Sequence, residues 1–343
     1  MKYKLLSVNV GSVNNIGDYI QALAASKFLP QIDGFINREA LSEYTGDKSL
    51  IIMNGWYMHH PEKWPPSDNI IPLFVAFHLN KSACSKMLSK DGINYLKQHE
   101  PIGCRDLFTR DTLMKYGINA YFSGCLTLTL GNKYFTKKTS DKVFFVDPII
   151  PRTLSPLLLL KDFYVLLSNY KFILKISRKY SFSKNVIKSI FLSSRFFRMY
   201  RKLFDIDVLL TAKYINHESS FYTSTLNTDE MRLNEAERLI KEYAQASFIV
   251  TSRIHCALPS LGLSTPVYFL ENSINDEISK CRFGGLVDLF NVIDCVSDHL
   301  VPRFKMSQNK LSRMYIIQNK DSWRHLAKEM TDRCHAFVES YRV

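Results

Sequence analysis

The chain has 343 residues, of which 46% are hydrophobic and 22% are charged. So much apolar sequence excludes a disordered chain, and the length predicts two domains. The seven cysteines form no CxxC pair, so we expect neither a disulfide framework nor a structural zinc site, and a reducing cytoplasm is the default. We also expect no signal peptide and no transmembrane helix, because the longest apolar run, 154–160, is far shorter than the roughly 20 residues that span a bilayer.

The positive charge is concentrated in one segment. Residues 171–202 contain ten basic residues and no acidic one, and without these ten the net charge of +13 falls to +3. At helical spacing, four of the ten share one face: Lys184, Lys188, Arg195 and Lys202. Three apolar residues point roughly the opposite way: Val186, Ile190 and Phe197. Such a segment suits an anionic membrane surface, and two alternatives stay open: a solvated helical hairpin packed on its apolar side, or a nucleic-acid-binding surface.

Apolar runs and amphipathic segments alternate along the chain. Strands are predicted at 5–10, 49–53, 70–77, 102–104, 120–122, 143–146, 207–211, 248–251 and 267–270. Helices are predicted at 18–29, 85–98, 106–116, 228–246, 254–263 and 307–343. This alternation predicts an α/β fold of two doubly wound, Rossmann-like domains that face each other across a cleft. We expect the domains at 1–135 and 136–300, with the basic insertion at 151–205 and a C-terminal helical segment at 301–343.

The first candidate site is the glycine-containing turn after the opening strand. Asn15, Gly17 and Asp18 lie where this turn enters a helix. Backbone N–H groups at such a turn can hold an anion or a sugar hydroxyl. A tight turn followed by an acid that the helix dipole favours explains the same residues equally well.

The second candidate site combines the ends of two strands. Arg105 and Asp106 follow one strand, and Ser123 follows the next. Strand ends form the usual ligand edge of an open α/β sheet, and an arginine there can clamp a carboxylate or a phosphate. The alternative is that Arg105 and Asp106 pair with each other or cap the following helix.

The third candidate site is the step from a buried strand to a helix at 251–259. Ser252, Arg253 and His255 stand at this step, where backbone amides, a guanidinium and an imidazole can converge on one anion. The imidazole also has a pKa range suited to general acid–base catalysis. A histidine at the start of a helix can equally serve as a capping or core residue.

Three segments of the chain carry a family resemblance: NNIGD near the start, IGCRDLFTRDTLMKYGINAYFSGCLTLTL, and ASFIVTSRIHCALPSLGLSTPVYFLEN. In sequence, order and separation they resemble the polysaccharide pyruvyltransferase family. The resemblance covers about residues 5–135 and 207–295, including shorter similarities at 214–217 (YINH) and 282–286 (RFGGL). The basic segment lies outside it.

The resemblance implies a fold like that of the two-domain GT-B glycosyltransferases. It also implies a reaction that moves the enolpyruvyl group of phosphoenolpyruvate onto two hydroxyls of a sugar, forming a pyruvate ketal and releasing phosphate. Phosphoenolpyruvate is then a co-substrate, and no metal or further cofactor is needed. The implied donor site consists of Ser252, Arg253, His255, Arg105 and Ser123. The implied acceptor site consists of Asn15, Gly17 and Asp18.

Within that donor site, Arg253 and Arg105 are expected to clamp the anionic groups and His255 to act as an acid–base residue or phosphate ligand. The acceptor would be a sugar in a polysaccharide precursor for a capsule or exopolysaccharide. If that precursor is lipid-linked, the enzyme would work at the cytoplasmic face of a membrane, held there by residues 171–202; nucleic acid is not an expected partner. Two other classes stay open: a GT-B nucleotide-sugar glycosyltransferase, and a non-catalytic protein that binds anionic glycans or nucleic acid.

Overall fold

Short parallel strands form the N-terminal half of the fold. The computed structural model describes residues 1–8, 15–137, 140–151, 155–272, 281 and 283–342. The strands of this half are β1 (Lys2–Tyr3), β2 (Leu5–Ser7), β3 (Phe35–Asn37), β4 (Ser49–Ile52), β5 (Trp56–Tyr57), β6 (Ile70–Leu73), β7 (His78–Leu79), β8 (Ile102–Cys104) and β9 (Ala120–Phe122). They pair in parallel as β2–β3, β1–β4–β6, β5–β7 and β8–β9. Parallel pairing brings their carboxyl ends to one edge.

The C-terminal half contains one larger sheet. Its strands are β10 (Val143–Val146), β11 (Lys213–Ile215), β12 (Phe248–Thr251), β13 (Val267–Asn272), β14 (Asn291–Val296) and β15 (His299–Pro302). They lie in the order β11-β10-β12-β13-β14-β15, and all neighbours are parallel except β14 and β15. The first three strands of this order therefore end beside one another, and the candidate residues at 252–255 follow the third.

Helices connect and cover the strands. The α-helices in the described residues are α1 (Ile16–Ser26), α2 (Cys84–Met87), α3 (Lys90–Gln98), α4 (Leu107–Lys115), α5 (Gly131–Tyr134), α6 (Pro156–Ser168), α7 (Tyr170–Lys179), α8 (Val186–Tyr200), α9 (Ile206–Thr211), α10 (Phe221–Ser224), α11 (Asp229–Ala244), α12 (Ile254–Gly262) and α13 (Arg324–Glu339). Short 3-10 helices lie at Leu41–Glu43, Pro61–Lys63, Lys81–Ala83, Leu126–Leu130 and Val287–Leu289. None of the described helices is both long and apolar enough to cross a membrane.

The two halves of the chain share a helical core. Helix α1 packs against α11 and α12, and the 3-10 helix Leu126–Leu130 packs against α12 and α13. The backbones come very close at Gly262, where a Cβ would lie 2.3 Å from the carbonyl oxygen of Leu128. Only glycine fits such an approach. This packing holds the N-terminus of α1 beside that of α12.

The predicted α/β class with parallel sheets is confirmed. The strands predicted at 102–104, 120–122, 143–146 and 248–251 begin and end where the structure has them. The GT-B arrangement and the domain boundaries stay predictions.

The strand predicted at 207–211 is wrong, because these residues belong to helix α9. The strand that pairs with β10 comes immediately after, at Lys213–Ile215. A short apolar run has no periodicity that separates a buried strand from a buried helix. Here the helix buries Val208 and Leu209 in the core beside β10 and β11.

The long C-terminal helix predicted at 307–343 is largely wrong. In the described part of this stretch, 307–342, only Arg324–Glu339 is an α-helix, and strands β14 and β15, which come earlier in the chain, were not predicted. The stretch before the helix runs along strand β13 instead. Asn319 accepts a hydrogen bond from the Val267 N–H at 3.0 Å and donates one to the Thr265 carbonyl at 2.7 Å. These two bonds hold the segment beside the start of β13.

The predicted basic face of residues 184–202 does not form. Arg195, which should share the face with three lysines, is only 2% exposed, and Val186 on the predicted apolar side is 71% exposed. Arg195 and Arg198 both bind the carboxylate of Asp162, at 2.9 Å and 2.7 Å. Two arginines of α8 thus pair with the buried Asp162 of α6 in the core, because a buried charge needs oppositely charged partners.

Candidate active site

Two helices from different halves of the chain begin at the same point. Asn15 caps α1, and its side-chain oxygen accepts a hydrogen bond from Gly17 N at 2.9 Å. The Ile16 N–H donates to the carbonyl of His217 at 3.0 Å, which ties the start of α1 to the end of β11. Gly17 faces His255 in the first turn of α12, and a Cβ at Gly17 would lie 2.9 Å from His255 Nδ1. The predicted acceptor turn and the predicted donor histidine are therefore in contact.

Arg253 lies at the N-cap of α12 and is held by two acids. Its Nε donates to Asp147 Oδ2 at 2.6 Å, and its Nη2 donates to Glu218 Oε2 at 2.7 Å. Burial alone would lower the pKa of Arg253, but the carboxylates of Asp147 and Glu218 outweigh burial and raise it. Asp147 also accepts from the His217 N–H at 3.1 Å and, through its carbonyl, from Ser252 Oγ at 2.7 Å. The ends of β10, β11 and β12 are thus bound together around Arg253.

Arg105 is buried at the end of β8 with few partners. Its exposed fraction is 2%. Within the described residues its Nε has no hydrogen-bond partner, and its ion pair with Asp106 is long, at 4.0 Å from Nε to Oδ2. Burial lowers the pKa of Arg105, and the charge of Asp106 offsets this only in part. A guanidinium buried in this state has unused capacity to bind an anion.

A second buried arginine lies next to Arg105. Arg38, which follows β3, binds Asp18 Oδ1 at 2.7 Å, and both side chains are almost fully buried. Both residues act electrostatically on Arg105. The carboxylate of Asp18 is thus committed to Arg38, and the two residues extend the site from the first turn of α1 to the end of β8.

Ser123 and Asp106 hold the end of β8 in place. The Ser123 hydroxyl accepts from the Ala76 N–H at 3.1 Å and donates to the Cys104 carbonyl at 3.0 Å. Asp106 Oδ1 caps α4 by accepting from Thr109 N at 2.9 Å, and Oδ2 is hydrogen-bonded to His78 Nδ1. The alternative that Asp106 caps the following helix is thus confirmed, while Arg105 stays only loosely paired.

The structure brings most of the predicted site residues into one neighbourhood. Asn15, Gly17 and His255 touch, and Asp18, the residue after Gly17, acts electrostatically on Arg105. Sequence reasoning missed Asp147, Glu218 and Arg38. Asp147 follows the run VFFV at the end of β10, so the strand-end rule applied to Arg105 would also have found it.

The described residues contain no group of three or more His, Cys, Asp and Glu placed to hold a metal ion. The thiol closest in sequence to His255 is Cys256, and burial raises its pKa to about 12, so it stays protonated.

A surface cavity of about 630 Å³ lies at the other end of α12, lined by Gly262, Ser264 and Trp323 among others.

Comparison with known families identifies the chain. A family model of polysaccharide pyruvyl transferases matches residues 15–274, about three quarters of the length. The chain belongs to the polysaccharide pyruvyl transferase family. The protein is therefore a transferase of polysaccharide biosynthesis. Among curated proteins a search finds no match. The matched range contains every residue placed above in the candidate site of this pyruvyl transferase.

Gly17→Ala is expected to slow the pyruvyl transferase by about 10²-fold, because the new methyl group would push His255 out of place. The Cβ would lie 2.9 Å from both Asn15 Oδ1 and His255 Nδ1, closer than real contacts allow. Overpacking of this kind also lowers the free energy of unfolding by about 1–3 kcal/mol. Initial rates of pyruvyl transfer and urea unfolding measure the two effects. In the control Gly284→Ala the nearest atom is 3.6 Å away, so wild-type rates are expected there; equal rates in both variants would refute the contact.

His217 is expected to make stability depend on pH. Burial, reinforced by the charge of Arg253, lowers its pKa to about 3, against about 6.5 in an unfolded chain. Between these pH values the unfolded chain binds a proton that the folded chain does not. The free energy of unfolding therefore decreases as the pH is lowered, by up to about 1.4 kcal/mol per pH unit. Above about pH 6.5 the residue has no such effect.

Urea unfolding of wild type and His217→Gln at pH 7 and pH 5 measures this contribution. The glutamine can still bond to the Tyr243 hydroxyl, which lies 2.8 Å from His217 Nε2. The variant should lose less stability than wild type between the two pH values, whereas His335→Gln, at an exposed position, should follow wild type. Identical losses in wild type and His217→Gln would show that His217 is not buried neutral.

Proposed function

We propose that this chain moves the enolpyruvyl group of phosphoenolpyruvate onto two hydroxyls of a sugar in a polysaccharide precursor. The observation that carries the proposal is the convergence of α1 and α12 on His255, beside Arg253. The first turns of both helices present N–H groups and positive dipole ends to the same place. A donor with a carboxylate and a phosphate matches such a site.

Two arginines are proposed to bind the donor. Arg105 is buried and loosely paired, so it can take up a carboxylate or phosphate with two hydrogen bonds. Arg253 is oriented by Asp147, while its second acid, Glu218, has a side chain that is 59% exposed. Because water can solvate Glu218, an incoming anion can replace it on Arg253 without leaving a buried charge unpaired.

His255 is proposed to move the protons. Carbon 3 of phosphoenolpyruvate takes one proton and becomes a methyl group, which makes carbon 2 electrophilic. The two sugar hydroxyls then bond to carbon 2, and the bond from carbon 2 to the phosphate oxygen breaks. The hydroxyls release two protons, of which one balances the proton on carbon 3 and the other leaves with the phosphate. An imidazole suits both donation and acceptance near neutral pH, and no metal or further cofactor is invoked.

The acceptor is proposed to lie at the start of α1, where Asn15, Gly17 and Asp18 line the approach to His255. Asp18 is bound to Arg38 and Asn15 caps the helix, so both act here as oriented polar groups rather than as free bases. We place Ser252 and Ser123 as supports of the donor site, since their hydroxyls bond to neighbouring backbone. The GT-B arrangement and a cytoplasmic location are part of the same proposal.

Thermal unfolding with added phosphoenolpyruvate tests the donor. At 100 times its dissociation constant, a ligand adds about 2.7 kcal/mol of stability. The shift should appear in wild type and be much reduced in Arg253→Lys, which keeps the charge but loses the bidentate geometry. Inorganic phosphate and a nucleotide sugar serve as controls. A shift with the nucleotide sugar and none with phosphoenolpyruvate would overturn the proposal in favour of a glycosyltransferase.

A further inference from the structure

Helix α6 carries its apolar residues on the outside. Six large side chains of this helix are between 40% and 71% exposed: Leu157, Leu159, Leu160, Phe163, Tyr164 and Leu167. At 100° per residue they occupy one broad arc, and the opposite side carries the buried Asp162 and Val165. A helix that faces water has the reverse arrangement, with its charged residues outside.

An ionic network fixes this orientation. Asp162 is fully buried and accepts from Arg195 Nε at 2.9 Å and from Arg198 Nε at 2.7 Å. Arg198 continues to Asp298 at 2.7 Å. Turning α6 to hide its leucines would leave two buried arginines without their acid, which is strongly unfavourable. The exposed apolar arc is thus a fixed property of this fold.

The apolar arc continues onto the next helix and is bordered by positive charge. Tyr170 and Phe172, at the start of α7, are 53% and 39% exposed. We call these two residues, together with the six of α6, the apolar surface. Exposed lysines accompany it on the same helices and on the segment that follows: Lys161, Lys171, Lys175, Lys184 and Lys188. The one acid between residues 155 and 202 is the buried Asp162.

We propose that the apolar surface binds a bilayer of anionic phospholipids, with α6 lying in the plane of the interface. Thirteen residues of helix are about 20 Å long, too short to cross a bilayer but suited to the headgroup boundary. Apolar side chains enter that boundary while the neighbouring lysines bind lipid phosphates. A second copy of the chain is a poorer occupant, because it would bring lysines against lysines with no exposed acid of this segment to pair them.

Helix α7 connects the apolar surface to the candidate active site. Tyr180, which ends α7, donates to Asp147 Oδ1 at 3.2 Å, and Asp147 orients Arg253. A bilayer on the apolar surface would bring a lipid-linked sugar acceptor near His255. This benefit rests on the proposed function, whereas membrane binding itself does not.

Flotation of the full chain with vesicles tests the proposal. Wild type should float with vesicles containing phosphatidylglycerol, less at high salt, and weakly with pure phosphatidylcholine. Replacing Lys161, Lys171 and Lys175 with glutamine should weaken binding by about fivefold per residue, or roughly 10²-fold together. Leu160→Ser, Tyr164→Ser and Leu167→Ser combined should abolish flotation.

Matched controls and a second readout keep the outcomes distinct. Phe135→Ser with Met314→Ser changes two apolar residues that are 62% and 95% exposed elsewhere, and should float like wild type. Absence of wild-type flotation overturns the proposal, and so does a fall from dimer to monomer in the serine variant, which would mark a self-association surface. The thermal shift with phosphoenolpyruvate should be equal in wild type and both surface variants, so failure of the proposed function shows separately.

Discussion

Replacing His255 with alanine is expected to lower the rate of pyruvyl transfer by about 10²–10⁴-fold, the usual loss for a general acid–base residue. The imidazole lies at the meeting point of α1 and α12, and it faces Gly17. The two other buried histidines of the described residues lie elsewhere: His217 beside Tyr243 and His78 beside Asp106. The measurement is the initial rate of phosphate release from phosphoenolpyruvate with lipid-linked sugar extract as acceptor.

The pH profile separates an acid–base role of His255 from a purely steric one. His255→Gln fills similar space and keeps a polar head but cannot titrate, so it should be as slow as the alanine variant and should lack the near-neutral limb of the wild-type profile. His299→Ala removes an exposed histidine and should match wild type. A rate for His255→Gln within tenfold of wild type would exclude His255 as the proton carrier.

Arg105→Met is expected to weaken phosphoenolpyruvate binding by about 10²–10⁴-fold, because two charge-assisted hydrogen bonds of about 1.5–3 kcal/mol each are lost. The same change should leave the free energy of unfolding equal or higher. Arg105 is buried, its Nε is unbonded within the described residues, and its contact with Asp106 is 4.0 Å long. Methionine fills the space without the cost of a buried charge. Titration calorimetry and urea unfolding measure the two quantities.

Arg195→Met is the matched control, since this arginine is equally buried but fully engaged. It binds Asp162 at 2.9 Å and also the Pro151 carbonyl. Removing it should lower the free energy of unfolding by about 3 kcal/mol and leave phosphoenolpyruvate binding intact. If both variants instead lose stability alike and Arg105→Met still binds phosphoenolpyruvate normally, Arg105 is a structural residue.

Local chemistry made parts of the fold predictable. The strands at 102–104 and 248–251 are short apolar runs between polar turns, and the caps at Asp106 and Thr228 accept bonds from N–H groups within their own helices. Each of these features depends on residues a few positions apart. The strand-end rule predicted Arg105 and Arg253 as candidate ligand-binding residues for the same reason.

Longer-range features were beyond the sequence alone. Nothing near Arg253 indicates that Asp147, more than a hundred residues earlier, holds its guanidinium. The strand predicted at 207–211 became a helix because packing of Val208 and Leu209, rather than their spacing, decides between the two. Gly17 and His255 meet only because α1 and α12 pack together across the two halves of the chain.

The arginines show most clearly what the sequence and the tertiary structure each determined. The sequence by itself established the family motifs, the parallel α/β class and the positive charge of residues 171–202. Only the tertiary structure decided that Arg195 is neutralised in the core while Arg105 is left with a distant acid, and that α6 turns its leucines outward. The physical reason is that a guanidinium's role depends on its solvation and on the acids that packing brings within hydrogen-bonding distance, and neither is encoded at neighbouring positions.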